Sequence, residues 1–120
     1  MIRAINHIQI TIPKGREDKA RDFYCEALGL PEIEKPASLQ GRGGLWLQVG
    51  DRELHIGVED LILPRSTKAH VAYEVTDLAG WKAKLTALGI EVIEGIPIPG
   101  YDRFEFRDPF GNRVEFMEPQ

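Results

Sequence analysis

The chain is 120 residues long, with a formal net charge of −4, 28% charged and 42% hydrophobic residues, and a single cysteine. That is the length of one globular domain, able to bury about two thirds of its unfolded surface without covalent staples. The acidic balance, with no basic block, excludes a nucleic-acid binder built on clustered Lys and Arg. Cys25 has no second cysteine to pair with, which fits a reducing compartment. No apolar run reaches membrane-spanning length. The opening Met1-Ile2-Arg3-Ala4 runs into a strand without a signal peptide's apolar core, so a cytoplasmic location is expected.

In chain order, Asn6 to Ile12 alternates, with Ile8, Ile10 and Ile12 on one face and His7, Gln9 and Thr11 on the other, the pattern of a half-buried strand. Ala20, Phe23, Tyr24, Ala27 and Leu28 are spaced as the apolar stripe of a helix, and Gly29 stops it. A strand over Glu32 to Lys35, a loop at Gln40 to Gly44 and strands over Leu45 to Val49 and Glu53 to Val58 follow. Leu61 to Lys68 reads as a connector. The pattern then restarts. Ala69 to Val75 alternates, Asp77 is an N-cap, and Leu78, Trp81, Leu85 and Leu88 are the stripe of a second helix that Gly89 ends. Strands are expected over Ile90 to Ile93, Tyr101 to Arg107 and Arg113 to Met117, the last entered through the Asp-Pro and Gly-Asn turn chemistry of Asp108 to Asn112. The order is β-α-β-β-β twice, and Leu28-Gly29-Leu30 matches Leu88-Gly89-Ile90. Such a repeat predicts one domain made of module one (1–60), the connector (61–68) and module two (69–120).

His7, His55, His70 and Glu115 all fall on the face away from the oily positions, if the alternation holds. They include all three histidines of the chain. A lone polar-face histidine is usually only solvated, but His7 and His70 occupy equivalent places in two copies. Imidazole nitrogen with carboxylate oxygen suits Zn, Ni, Mn or Fe(II). None of the four sits in a short ligand box, so the fold would have to assemble them.

The double βαβββ pattern, the INHI opening, the ARDFYCEALGL helix, the KAHVAYEV restart and the DPFGNRVEF close resemble the vicinal oxygen chelate superfamily, the glyoxalase, bleomycin-resistance and dioxygenase group. The resemblance covers nearly the whole chain. It implies an α+β fold in which two βαβββ modules form a U-shaped mixed β-sheet with helices on its outer face. It implies a divalent metal held by the first and last strands of each module: His7 and His55 from one, His70 and Glu115 from the other, with Glu53 as a fallback. It also implies a homodimer and a small-molecule substrate, with no nucleic acid or membrane partner.

On the Tyr101 to Arg107 strand the odd positions face away from Phe104 and Phe106, which would aim Arg103 into the cavity to hold a carboxylate or phosphonate bidentately. Tyr101, Trp46 and Gln48 are further candidates for its wall. Glu115, or Glu105 nearby, would move a proton while the ion stabilises an oxyanion. The function expected is therefore glyoxalase I-like lyase or isomerase chemistry on a small, anionic, oxygen-chelating molecule. The alternatives are an Fe(II) extradiol-type dioxygenase and a non-catalytic, antibiotic-resistance-like binder. Bleomycin-binding members lack the ligand set that this chain carries. Cys25, inside the first helix, reads as structural.

Overall fold

The computed structural model describes every residue from 1 to 120 except 62 and 64; Ile62 and Pro64, within the expected connector, lie outside the described residues. The chain divides into two units, Met1–Leu63 and Pro64–Gln120. In the first, β1 (His7–Pro13) leads to α1 (Glu17–Ala20), which continues as a π-helical stretch (Arg21–Ala27). β2 (Glu32–Ile33), a 3-10 segment (Ala37–Arg42), β3 (Leu45–Val49) and β4 (Arg52–Glu59) complete it. In the second, β5 (His70–Glu74) is followed by α2 (Leu78–Ala87), β6 (Ile93–Glu94), β7 (Tyr101–Arg107) and β8 (Arg113–Pro119). The sheet orders are β1-β4-β3-β2 and β5-β8-β7-β6. First and last strands are parallel neighbours in both units, and the remaining pairs are antiparallel. The internal repeat read from the sequence is thus a repeat of topology.

Alternation does the work it should. Leu45, Leu47, Leu54 and Ile56 are buried, and so are Ala20, Phe23, Tyr24 and Leu28 of the first helical stretch. In the second unit Phe104, Phe106, Val114, Phe116 and Leu85 form the core. Phe116 is its hub, with Phe106 at 5.1 Å and Trp81 at 5.3 Å, both edge-on, the arrangement aromatic quadrupoles prefer. Cys25 sits in the helix, and burial raises its thiol pKa, which leaves it a poor nucleophile.

Both helices end as their glycines require. Gly29 and Gly89 have φ of 79° and 80°. In the second helix the Ile90 N–H donates back to the Leu85 carbonyl at 3.0 Å, closing a Schellman-type end. That bond explains one departure from expectation. Ile90 is spent on the helix end, so β6 is not Ile90 to Ile93 but Ile93–Glu94. Leu88, expected in the apolar stripe, is 55% exposed, because it is the capping residue and the helix has already begun to unwind there. Asp77 caps as expected, its Oδ1 accepting from the Gly80 N–H at 3.1 Å. Glu118 adds an unforeseen second cap, accepting from the N–H groups of Asp77 and Leu78. β2 is shorter than expected, and the loop placed at Gln40 to Gly44 is largely the 3-10 segment. Ile8, at the exposed start of β1, is 39% exposed and does not join the core. Among the described residues, no helix is long and apolar enough to cross a membrane.

Candidate functional site

The turn from Asp108 to Asn112 sets the start of β8. Asp108 Oδ1 accepts from the N–H groups of Phe110 (2.9 Å) and Asn112 (2.8 Å), and Oδ2 from the Asn112 amide (2.9 Å). Gly111 has φ 85°, and a Cβ there would stand 2.9 Å from the Arg65 backbone nitrogen. Arg107 braces the same turn through the carbonyls of Gly111 and Thr67. A rigid entry of this kind delivers Glu115 to a defined place three residues later.

Register then fixes the faces. Ala72 pairs with Glu115 and His70 with Arg113; Glu105 pairs with Glu115 and Arg103 with Met117. In-register partners share a face, so His70, Arg103, Glu105, Arg113 and Glu115 project from one side of the second sheet. In the first sheet His7 pairs with Glu53 and Gln9 with His55, while Trp46 pairs with His55 and Gln48 with Glu53. His7 and His70 hold equivalent places in the two units, and so do His55 and Glu115.

In the second unit, His70 and Glu115 meet. Glu115 is only 5% exposed, and its Oε1 lies 3.1 Å from His70 Nε2. His70 Nδ1 lies 2.9 Å from the Lys68 carbonyl. A carbonyl can only accept, so Nδ1 carries a hydrogen, and in the neutral ring Nε2 keeps a lone pair. That lone pair faces a carboxylate oxygen. Two acceptors so placed need a proton or a cation between them. Donors about 2.1 Å from one ion and at right angles to each other would be about 3.0 Å apart, so the observed spacing fits a divalent cation. A backbone carbonyl fixing the distal imidazole nitrogen is the usual support of a metal-binding histidine.

The other Glu115 oxygen, Oε2, accepts from Arg103 Nη1 at 3.0 Å. Arg103 also donates to the Ile96 carbonyl at 3.0 Å and reaches Glu105 at 3.4 Å. Its guanidinium lies so close to Gly95 that a Cβ there would come within 2.6 Å of it. Arg103 is therefore engaged by two carboxylates on its own sheet. Arg113 holds the far oxygen of Glu105 at 2.6 Å. The hydrogen bond from Arg113, supported by the charge of Arg103, keeps the Glu105 carboxyl below the usual carboxylate range, which makes it a weak base at neutral pH. Tyr101, on the same face, is 38% exposed.

In the first unit three rings stack across three strands. His55, 6% exposed, lies between Trp46 (3.8 Å, 5° between planes) and His7 (4.0 Å, 17°). His55 Nε2 stands 2.9 Å from Glu53 Oε1, so this unit too carries an imidazole–carboxylate pair. His7 Nδ1 lies 3.0 Å from Asn6 Oδ1. Gln48 is on the expected face but its amide donates to the carbonyls of Gly50 and Arg52, closing the β3–β4 turn. A cavity of about 700 Å³ opens against this wall, lined among others by His7, Lys35, Arg42, Trp46 and His55. Among the described residues, no group of three or more His, Cys, Asp or Glu side chains is placed to hold an ion; what each unit provides is one imidazole–carboxylate pair. Lys35 and Arg42 had not been singled out, because a lysine and an arginine flanking a loop look like ordinary surface charge.

The sequence matches the family model of the Glyoxalase/Bleomycin resistance protein/Dioxygenase superfamily over residues 4–116. No curated protein matches it. Among solved structures, a glyoxalase family protein from Bacillus anthracis is 45% identical, with a TM-score of 0.91 over 100% of this chain and 98% of that one. A glyoxalase/dioxygenase from Nostoc punctiforme is 20% identical (TM-score 0.80; 98% and 92% covered). The fosfomycin resistance protein FosX from Listeria monocytogenes, solved with Mn(II) and sulfate, is 18% identical (TM-score 0.79; 100% and 93% covered); at such identities the likeness is one of fold. Twin βαβββ units, the Asp108 to Asn112 turn and a family match spanning nearly the whole chain lead to one conclusion: this protein belongs to the Glyoxalase/Bleomycin resistance protein/Dioxygenase superfamily.

Proposed function

We propose that the chain is a divalent-metal enzyme that performs glyoxalase I-like lyase or isomerase chemistry on a small, anionic, oxygen-chelating molecule. His7, His55, His70 and Glu115 would hold the ion, each unit supplying one pair. The observation that carries this reading is the buried Glu115 oxygen 3.1 Å from His70 Nε2, with the opposite imidazole nitrogen tied to the Lys68 carbonyl. The relative solved with Mn(II) supports it as a chemical precedent within the fold. Bound there, a divalent ion would supply Lewis-acid stabilisation of negative charge on a substrate oxygen.

The residues themselves divide the work. Arg103 aims Glu115, and Glu105, itself held by Arg113, helps to hold Arg103 in place. Glu115 accepts from Arg103 on one oxygen and turns the other toward His70 Nε2, an arrangement suited to ligation. Trp46 fixes His55 by stacking, which restricts how the first pair can turn. A homodimer, in which units of two chains combine, accords with four ligands split two and two.

Elemental analysis of protein purified without chelators tests the reading. One divalent ion per chain is expected, falling to a trace in His70→Ala; unchanged metal content in that variant would reject the site. Oxygen consumption by an Fe(II)-loaded sample would redirect the chemistry to a dioxygenase.

A further inference from the structure

The structure assigns recognition of the substrate's anionic group to Lys35 and Arg42 in the first unit, not to Arg103. The inference deepens the function proposed above and rests on it for the substrate, though not for the anion site. Arg103 is a poor candidate on its own contacts: Glu115, Glu105 and the Ile96 carbonyl take three of its five donors, and an incoming anion would have to approach two carboxylates. The cavity of the first unit has the opposite character. Both Lys35 and Arg42 line it. Lys35 Nζ is pinned by the Gly43 carbonyl at 2.6 Å and the Gly44 carbonyl at 3.3 Å. An ammonium has three donors, so two bonds to backbone leave a third N–H on a nitrogen that can no longer wander. Arg42, at the end of the 3-10 segment, is exposed and adds a planar, bidentate donor set.

The aromatic wall agrees. The faces of His55 are covered by Trp46 and His7, so this stack offers the cavity little room for a ring to slide between its members. The one acidic side chain of the lining, Glu53, is already matched to His55. A pinned ammonium and a guanidinium favour an oxygen-rich organic anion, a carboxylate or a phosphonate, of a size the 700 Å³ cavity admits.

The test is an amide and indole NMR titration of metal-free protein with methylphosphonate and, separately, acetate, with isopropanol as the neutral control. Saturable shifts are expected at the Trp46 indole N–H and at the amides of Gly43 and Gly44 with one or both anions and not with the alcohol. The anion giving the tighter titration names the substrate's acid. Arg42→Ala should weaken binding about tenfold, as loss of a charge-assisted bond does, and Arg42→Glu should abolish it, while both variants keep the parent spectrum elsewhere. Arg103→Ala should leave the anion titration unchanged. Binding that appears only after metal is added and ignores Arg42→Ala would overturn this inference and leave the metal reading standing. No saturable shift under either condition, or weakening by Arg103→Ala instead, would overturn it as well.

Discussion

Removing Arg103 strands a charge, and the size of the penalty can be worked out from its contacts. Glu115 is 5% exposed and has two partners, His70 on one oxygen and Arg103 on the other. Taking away one partner of a buried ion pair typically costs 3–5 kcal/mol, chiefly because the remaining charge is left desolvated. His70 still faces Oε1, and the Arg103 side chain is itself 14% exposed, so the low end applies, about 3 kcal/mol in metal-free protein. That corresponds to a fall of roughly 10 °C in melting temperature for a chain of this length. The informative assay is a double-mutant cycle by urea denaturation. In a Glu115→Gln background no charge is stranded, and Arg103→Ala should then cost only about 1 kcal/mol, the worth of an ordinary hydrogen bond such as that to the Ile96 carbonyl. Equal penalties in the two backgrounds would refute the argument, because they would mean that Arg103 acts by packing on Gly95 and not by compensating Glu115.

Further outcomes follow from the same sheet and its turn. Glu105 has a folded-state pKa below its unfolded one, chiefly through its hydrogen bond from Arg113. Its contribution to stability is therefore present above the unfolded carboxylate range and lost as the pH falls through the folded value. Glu105→Gln should remove that part of the acid limb in denaturation profiles; an unaltered profile would show that the pair adds nothing. Gly111→Ala should destabilise by at least about 1 kcal/mol, since Ala must adopt a left-handed backbone and its Cβ would meet the Arg65 nitrogen at 2.9 Å. Thermal melts would show it, and a neutral substitution would mean that the turn relaxes.

Much of this fold could be read in the sequence because its signals are local. Alternation at Ile8-Gln9-Ile10 and at Val71-Ala72-Tyr73 marks strands, and the glycines at 29 and 89 mark helix ends. The equivalence of His7 and His70 came from repetition, and the meeting of His70 with Glu115 followed once β5 lay beside β8. Alternation tells which face a side chain takes but not what it touches there. Arg103 lies on the face of Glu115, and alternation could not show that it touches that carboxylate there. Gln48 was likewise on the right face but folds back onto its own turn. A strand bound was missed through competition for one backbone group: Ile90 reads as strand, but its N–H goes to the helix end. Lys35 gave no signal at all, since what distinguishes it is a pair of carbonyls from glycines eight and nine residues onward.

The central claim is that a divalent ion sits between His70 and Glu115. A crystal grown with Mn(II) and measured for anomalous scattering tests it without reference to any substrate. The account predicts a single strong peak about 2.1 Å from His70 Nε2 and from a Glu115 oxygen, with Nδ1 still on the Lys68 carbonyl. A map with no peak there, or with His70 Nε2 still bonded directly to Glu115 at saturating metal, would contradict it.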